Sequence, residues 1–245
     1  SRVVRGPLVQ RVGESSATIV VETDLPAGAE LAWGATPALG QRAAAVAEGG
    51  GRRHRFDLSG LPLDAAVHYQ VTVDGVAGPA HTFATAPRAG DVLRFAVYGD
   101  VRGGHGTHAK LIAAMTAEAP DMIVASGDLV MRGSDEADWQ RFFEVAGGLM
   151  ATTPFYSCVG NHDVGRAGDL ARRFGDIFAL PDGPADRPVH GGWYSFDVAG
   201  VHFVMLDSNA YEEVAQRRWL EEDLAAARKA KARAIFVVTH DGPFA

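Results

Sequence analysis

Four short polar clusters hold the side chains that could do chemistry together: Gly99-Asp100, Gly127-Asp128, Gly160-Asn161-His162-Asp163 and Thr239-His240-Asp241. Each follows an apolar run with the composition of a buried strand. Ligands of open α/β sheets bind just beyond the carboxyl ends of the strands. Clusters separated by 28, 33 and 79 residues (Asp100 to Asp128 to Asn161 to His240) can therefore meet in one crevice. Carboxylate and amide oxygens with imidazole nitrogen are a donor set that suits Mn, Fe or Zn. Cys158 is the only cysteine, which excludes a thiolate cage and an internal disulfide. Taken singly, a Gly-Asp after a strand is an ordinary turn, and a strand-end histidine such as His240 is ordinarily structural. All four in order make a shared metal site the stronger reading.

The elements that must position these clusters alternate in type. Strands are expected at 93–98, 122–125, 155–159 and 234–238, and helices at 107–118, 136–149 and 214–231. Leu111, Ile112 and Met115 form the apolar face of the first helix. A hairpin is expected from Trp193–Asp197 to Val201–Leu206, turning at Ala199-Gly200. Such alternation means an α/β domain. Residues 1–88 follow a different period. Val67, Tyr69, Val71 and Val73 alternate with polar residues before an Asp74-Gly75 turn, and 17–23 is rich in β-branched residues. Further extended pieces fit 29–33, 53–58 and 80–84. The exception is an Ala-rich patch near 43–47 with helical character, cut off by Gly49-Gly50-Gly51. About 90 residues of short strands suit a small β-sandwich, and 84–91 reads as the linker. Leu58-Ser59-Gly60-Leu61-Pro62 followed by His68-Tyr69-Gln70-Val71 resembles the late strands of a fibronectin type III domain.

The four clusters resemble the blocks of the calcineurin-like metallophosphoesterases, with an amino-terminal part similar to that of the purple acid phosphatases. Those blocks run GD, GDxxxxG, GNH(D/E), a strand-end His and a final GHxH. The first four match Gly99-Asp100, Asp128 through Gly133, Gly160 through Asp163, and His240. The resemblance implies a layered α/β/β/α catalytic domain over 89–245 behind a sandwich over 1–88. It also implies hydrolysis of phosphomonoesters or phosphodiesters by a metal-bridging hydroxide. Two divalent or mixed-valence ions (Fe, Mn or Zn) are implied, with Asp100 on the first, Asn161 and His240 on the second and Asp128 bridging both. His162 is then the group that protonates the leaving oxygen or stabilises its charge, and Asp163 is expected to orient it through its other ring nitrogen. Relatives with this arrangement imply a secreted or periplasmic location.

Two departures from the pattern stand out. Many family members continue the first block as Asp-x-His, the His being another ligand, and purple acid phosphatases instead take a tyrosine three residues past the second-block Asp. This sequence has Arg102 and Met131 there. Arg102 is expected either to grip substrate phosphate, which a guanidinium fork suits, or to be a surface arginine. His105 is either a replacement donor or a loop histidine. No GHxH block follows His240, so a carboxyl-terminal continuation or a second chain is expected to complete the fold, and the 245 residues alone are expected to be poorly active.

Composition narrows the partners. Residues 1–88 carry eight basic and eight acidic side chains, so the whole net charge of −7 falls in 89–245. That argues against general nucleic-acid binding, which needs a basic face. No apolar run is long enough to span a membrane, and the sequence does not open on a basic stretch leading into an apolar core. Twenty arginines against three lysines is the usage expected of a GC-rich bacterial genome. Trp193, Tyr194 and His202 read as structural, and His190 as part of a loop that could wall a substrate pocket. Two rival readings stay open. One is a metal- or phosphate-binding relative without turnover, marked by Arg102 and Met131; the other makes the sandwich a binding module carried on an α/β scaffold.

Overall fold

The computed structural model describes residues 1–164, 172–181, 183 and 192–242. Residue 190 and most of the loop around it lie outside the described residues.

The amino-terminal half consists of β1 (Val3–Gln10), β2 (Ser16–Thr23), β3 (Ala29–Gly34), β4 (Gln41–Ala44), β5 (Val46–Glu48), β6 (Arg53–Ser59), β7 (Ala66–Val73) and β8 (Val76–Ala84). They form two antiparallel four-stranded sheets, ordered β1-β2-β6-β5 and β4-β3-β7-β8. Alternation decides the faces: Val67, Tyr69, Val71 and Val73 are buried while the residues between them are not. Asp74 and Gly75 both take positive φ, 47° and 78°, as a tight hairpin between twisted strands requires. The Ala-rich patch is a correction. Residues 41–44 and 46–48 are strands, because pairing of β4 with β3 and of β5 with β6 outweighs the helical preference of alanine. β1, which the sequence pattern left unassigned, pairs with β2 through a shifted register.

The second half alternates as expected: β9 (Phe95–Tyr98), α1 (His105–Glu118), β10 (Met122–Ala125), α2 (Glu136–Met150), β11 (Phe155–Ser157), α3 (Arg172–Ile177), β12 (Tyr194–Val198), β13 (Val201–Met205), α4 (Val214–Lys229) and β14 (Ala234–Val238). Parallel strands β11-β10-β9 make one sheet and β12-β13-β14 the other. Their inner faces meet through aromatic rings: Phe95 lies edge-on to Phe203, and Tyr156 stacks on Phe196 with centroids 4.0 Å apart. The α1–α2 pair flanks the β10 sheet, and α4 bonds to the other sheet through Asp223, giving the α/β/β/α order. Ala199 and Gly200 form the β12–β13 turn with φ of 54° and 76°. On α1, Met115 is buried and Leu111 is exposed, so the inward face is rotated toward His108. Among the described residues no helix is long and apolar enough to cross a membrane.

The two halves share buried polar contacts. Tyr69 Oη donates to the Ala151 carbonyl at 2.7 Å, and Arg5 of β1 reaches Glu136 of α2 at 2.6 Å while lying 5.2 Å above the Phe143 ring.

Candidate active site

The ends of the parallel strands β9, β10 and β11 open on one crevice, which the end of β14 from the second sheet joins through His240. Asp100 follows β9, Asp128 follows β10, Asn161 and His162 follow β11, and His240 follows β14. The chain turns sharply in each case. Asp100 and Asp128 both sit in the left-handed region, with φ of 57° and 54°. For an aspartate that conformation costs about 1 kcal/mol, and such strain gathers where a side chain must be aimed. Gly127 has φ +87°, and a Cβ there would lie 2.5 Å from the Gly160 nitrogen. Its hydrogen side lets the β10 and β11 loops touch. Gly133 is needed for the same reason, since a Cβ would collide with the Asp163 carbonyl.

Asp163 is the hub of these loops. It is buried, and its carboxylate accepts from the backbone nitrogens of Asp128 (2.7 Å), Leu129 (2.8 Å), Val130 (3.3 Å) and Gly160 (3.0 Å). Burial lifts its pKa to about 6, opposed by those N–H groups. The expectation that Asp163 orients the His162 ring is corrected: the carboxylate is consumed by backbone donors. The Met131 carbonyl accepts from His162 Nδ1 at 2.7 Å instead. A carbonyl can only accept, so the proton lies on Nδ1 and Nε2 is left for another partner. Nothing in the sequence marks a backbone carbonyl for this task.

His240 is set the same way. Its Nδ1 donates to the Ser126 carbonyl at 2.9 Å, and its Nε2 lies 3.2 Å from Asn161 Oδ1 and 3.4 Å from Asp128 Oδ2. In the neutral ring that nitrogen is a lone pair. Three electron-rich atoms then converge where none can donate to another. Asp128 is fully buried, its Oδ1 accepts from the His162 nitrogen at 2.9 Å, and its Oδ2 is ion-paired with the Arg102 guanidinium. A buried carboxylate is costly unless cations or donors meet its oxygens. Two oxygens and one imidazole nitrogen therefore fit a divalent ion of the Mn, Fe or Zn kind. Among the described residues no cluster of three His, Cys, Asp or Glu side chains is gathered for a metal; the set reaches three only by counting the Asn161 amide oxygen.

The same Asp128 Oδ2 faces a cation already. Arg102 Nη1 is ion-paired with both Asp100 Oδ1 and Asp128 Oδ2. The hydrogen bond from Arg102 holds the Asp100 carboxyl below its ordinary pKa, although that side chain is 66% exposed. His105 does not join them. It begins α1, is exposed, and lines a cavity of about 210 Å³ with Gly103, Met131, Asp138 and Arg141. Met131 contributes its carbonyl, while its side chain is exposed. Asp100, Asp128, Asn161, His162, His240 and Arg102 are thus brought together, and Asp163 supports them from below.

Residues 93–244 match the family model of the calcineurin-like phosphoesterases, and residues 1–88 match a domain of unknown function, DUF7800. The chain is 26% identical to purple acid phosphatase 22 of Arabidopsis thaliana over 206 residues, covering 78% of this chain and 44% of that protein. It is 27% identical over 157 residues to acid phosphatase type 7 of Homo sapiens, covering 60% of this chain and 34% of that one. The chain thus spans less than half the length of these relatives. The structure of the purple acid phosphatase PPD1 from yellow lupin (Lupinus luteus) superposes with a TM-score of 0.76 at 16% identity, covering 95% of this chain and 50% of that one. The structure of PhoD superposes with 0.68 at 13% identity, covering 95% and 61%. At those identities the superpositions speak to the fold, and the fold is shared along nearly the whole chain. With the strand-end clusters and more than half of its length matched by the family model, this chain belongs to the calcineurin-like phosphoesterase family.

Proposed function

We propose that the protein is a metal-dependent hydrolase of phosphate esters, acting on monoesters or diesters at the crevice between β9, β10, β11 and β14. One observation carries the reading: Asp128 Oδ2, Asn161 Oδ1 and His240 Nε2 converge although none of the three can donate to another, beside a histidine whose Nε2 has no hydrogen bond among the described residues. Family membership and the acid phosphatase relatives support it. When bound, a divalent ion lowers the pKa of water and withdraws charge from a phosphoryl oxygen. Asp128, Asn161 and His240 would hold it.

The remaining groups have tasks of their own. The Ser126 carbonyl fixes the His240 tautomer, which presents a lone pair rather than a proton. The Met131 carbonyl does the same for His162, whose Nε2 is placed to give a proton to the departing ester oxygen once the ring is charged. Arg102 brings a permanent positive charge to the crevice floor, where its unused N–H groups suit a phosphate oxygen. Asp163 keeps the loops of β10 and β11 in register.

The protein expressed from its complete gene should hydrolyse p-nitrophenyl phosphate or bis(p-nitrophenyl) phosphate when supplied with Mn, Fe or Zn. Chelation should abolish the activity, and Asp128→Asn should lower kcat/KM by about 10³-fold or more, the scale of several kcal/mol of metal assistance. Hydrolysis that survives exhaustive chelation overturns the reading. Tight metal binding without turnover of either ester would select the binding relative that Arg102 suggests.

A further inference from the structure

We infer that Arg102 occupies the position of a first metal ion: its guanidinium is the resident cation between Asp100 and Asp128, and the protein holds a single metal ion, at Asp128, Asn161 and His240. The inference rests on the metal-dependent reading above and specifies its stoichiometry.

The sequence departures and the position of the guanidinium converge there. The two departures from the family pattern, Arg102 and Met131, remove donors from the same ion. Neither replacement can coordinate in their place, because a guanidinium offers only donors and a thioether is a soft, weak acceptor. The Met131 side chain is also 42% exposed and lines the small cavity beside Gly103. By contrast, Asn161 and His240 are both present and converge. Within the four clusters that are present, the departures therefore fall on one side of Asp128.

The guanidinium also lies where the ion would. Arg102 Nη1 contacts Asp100 Oδ1 and Asp128 Oδ2, the two oxygens that a first ion would share. The Arg102 side chain is 29% exposed, so its charge is held against the crevice floor. A divalent ion at the same place would have to evict it or accept a like charge at contact distance. The replacement donor that could have offset the loss, His105, is not brought there: among the described residues no hydrogen bond or ion pair joins it to Asp100 or Asp128.

The chemistry follows from charge. Asp100 and Asp128 together carry two negative charges, and the guanidinium neutralises one without offering an empty coordination position. Asp128 Oδ2 thus has Arg102 on one side and, on the other, His240 Nε2, with which it would hold the single ion. Arginine does not lose its proton in proteins, so this cation is fixed at every working pH, unlike a metal that chelators remove.

Elemental analysis of the protein from its complete gene, dialysed after loading with Mn(II), tests this directly. About one ion per chain is expected in the wild type and about two in Arg102→His, which restores the imidazole of a two-ion site. Because the variant could misfold, its circular dichroism is compared with the wild type, and the wild type alone is examined by electron paramagnetic resonance. An isolated Mn(II) signal in the loaded wild type is the expected result. Two ions per wild-type chain, or an exchange-coupled signal, would overturn the inference while leaving the metal-dependent reading intact. A folded Arg102→His that still binds one ion would also overturn it, since something other than Arg102 would then exclude the first ion. No bound metal in the wild type would instead sink the underlying reading.

Discussion

Two groups in the α/β half are built from the same side chains, a histidine among carboxylates, and they are finished differently. On the β12–β13 sheet, His202 Nδ1 meets Asp197 Oδ1 at 3.0 Å and its Nε2 meets Asp223 Oδ2 at 2.9 Å. The second oxygen of Asp223 accepts from Ser195 Oγ at 2.8 Å. Every polar atom of the ring is used, and the group ties α4 to β12 and β13. In the crevice, His240 and His162 each spend one nitrogen on a backbone carbonyl and keep the other unsatisfied by a donor. Buried polar groups are paired almost without exception in folded proteins. The complete set on β12 and β13 follows that rule and marks architecture, whereas the remaining crevice nitrogens are only part-buried and open to a ligand.

The sharpest way to break this contrast is to remove one histidine from each group and compare the readouts. His162→Ala should lower kcat by roughly 10²- to 10⁴-fold for an alkyl phosphate, the usual contribution of a general acid. The loss should be much smaller for p-nitrophenyl phosphate, whose leaving group needs little help, and metal content should not change. A loss of equal size for both esters would make His162 a positioning residue. His202→Ala, assayed beside it, should leave kcat within a few-fold of the wild type.

His202→Ala should instead reduce stability by about 2 kcal/mol, the scale of hydrogen bonds to charged partners, since it leaves Asp223 only 15% exposed and without its imidazole. That cost should depend on pH. Burial lowers the His202 pKa, but the bonds from Asp223 and Asp197 outweigh it, so the folded value lies above 6.5. The folded state then binds the proton more tightly than the unfolded chain does. The contribution is fully present below about pH 6.5 and is lost as pH rises through the folded value. Denaturant melts of wild type and variant across pH 5 to 9 should converge toward the alkaline side. Curves that stay parallel would mean that His202 is not charged in the fold.

Much of this contrast is legible in the sequence, but not all of it. The strand-then-cluster pattern locates Asp100, Asp128, Asn161 and His240, because strands of one direction bring their ends to one edge. It also places His202 inside a strand, away from that edge. The roles of Asp163, Ser126 and Met131 are hidden for a physical reason. A carboxylate that collects four backbone N–H groups looks like a second-sphere acid in the sequence, and carbonyl acceptors belong to every residue alike. The 43–47 patch misleads because alanine's helical preference is a local term, whereas β4 and β5 are decided by β3 and β6, their partners in the sheets. Likewise, the face of α1 is settled by His108 stacking between Tyr98 and Phe142, and no periodicity of Leu111, Ile112 and Met115 contains those rings.

The smallest effect tests whether the closed group is closed. Among the described residues Ser195 Oγ bonds to Asp223 Oδ1 and to no residue of the crevice. Ser195→Ala removes one neutral donor to a carboxylate, which should cost about 1 kcal/mol of stability and leave hydrolysis and metal content unchanged. It should also strengthen the remaining pair: with one fewer donor, Asp223 is a better acceptor for His202, whose raised pKa should rise further. The pH at which the His202 contribution fades, read by NMR titration of the ring or by the melts above, should then move to the alkaline side. A shift in the opposite direction would show that Ser195 holds Asp223 in place for His202 rather than competing with it. The contrast would survive in either case, because what sets the two groups apart is which atoms are left without a donor, and Ser195→Ala leaves no nitrogen of His202 without its carboxylate.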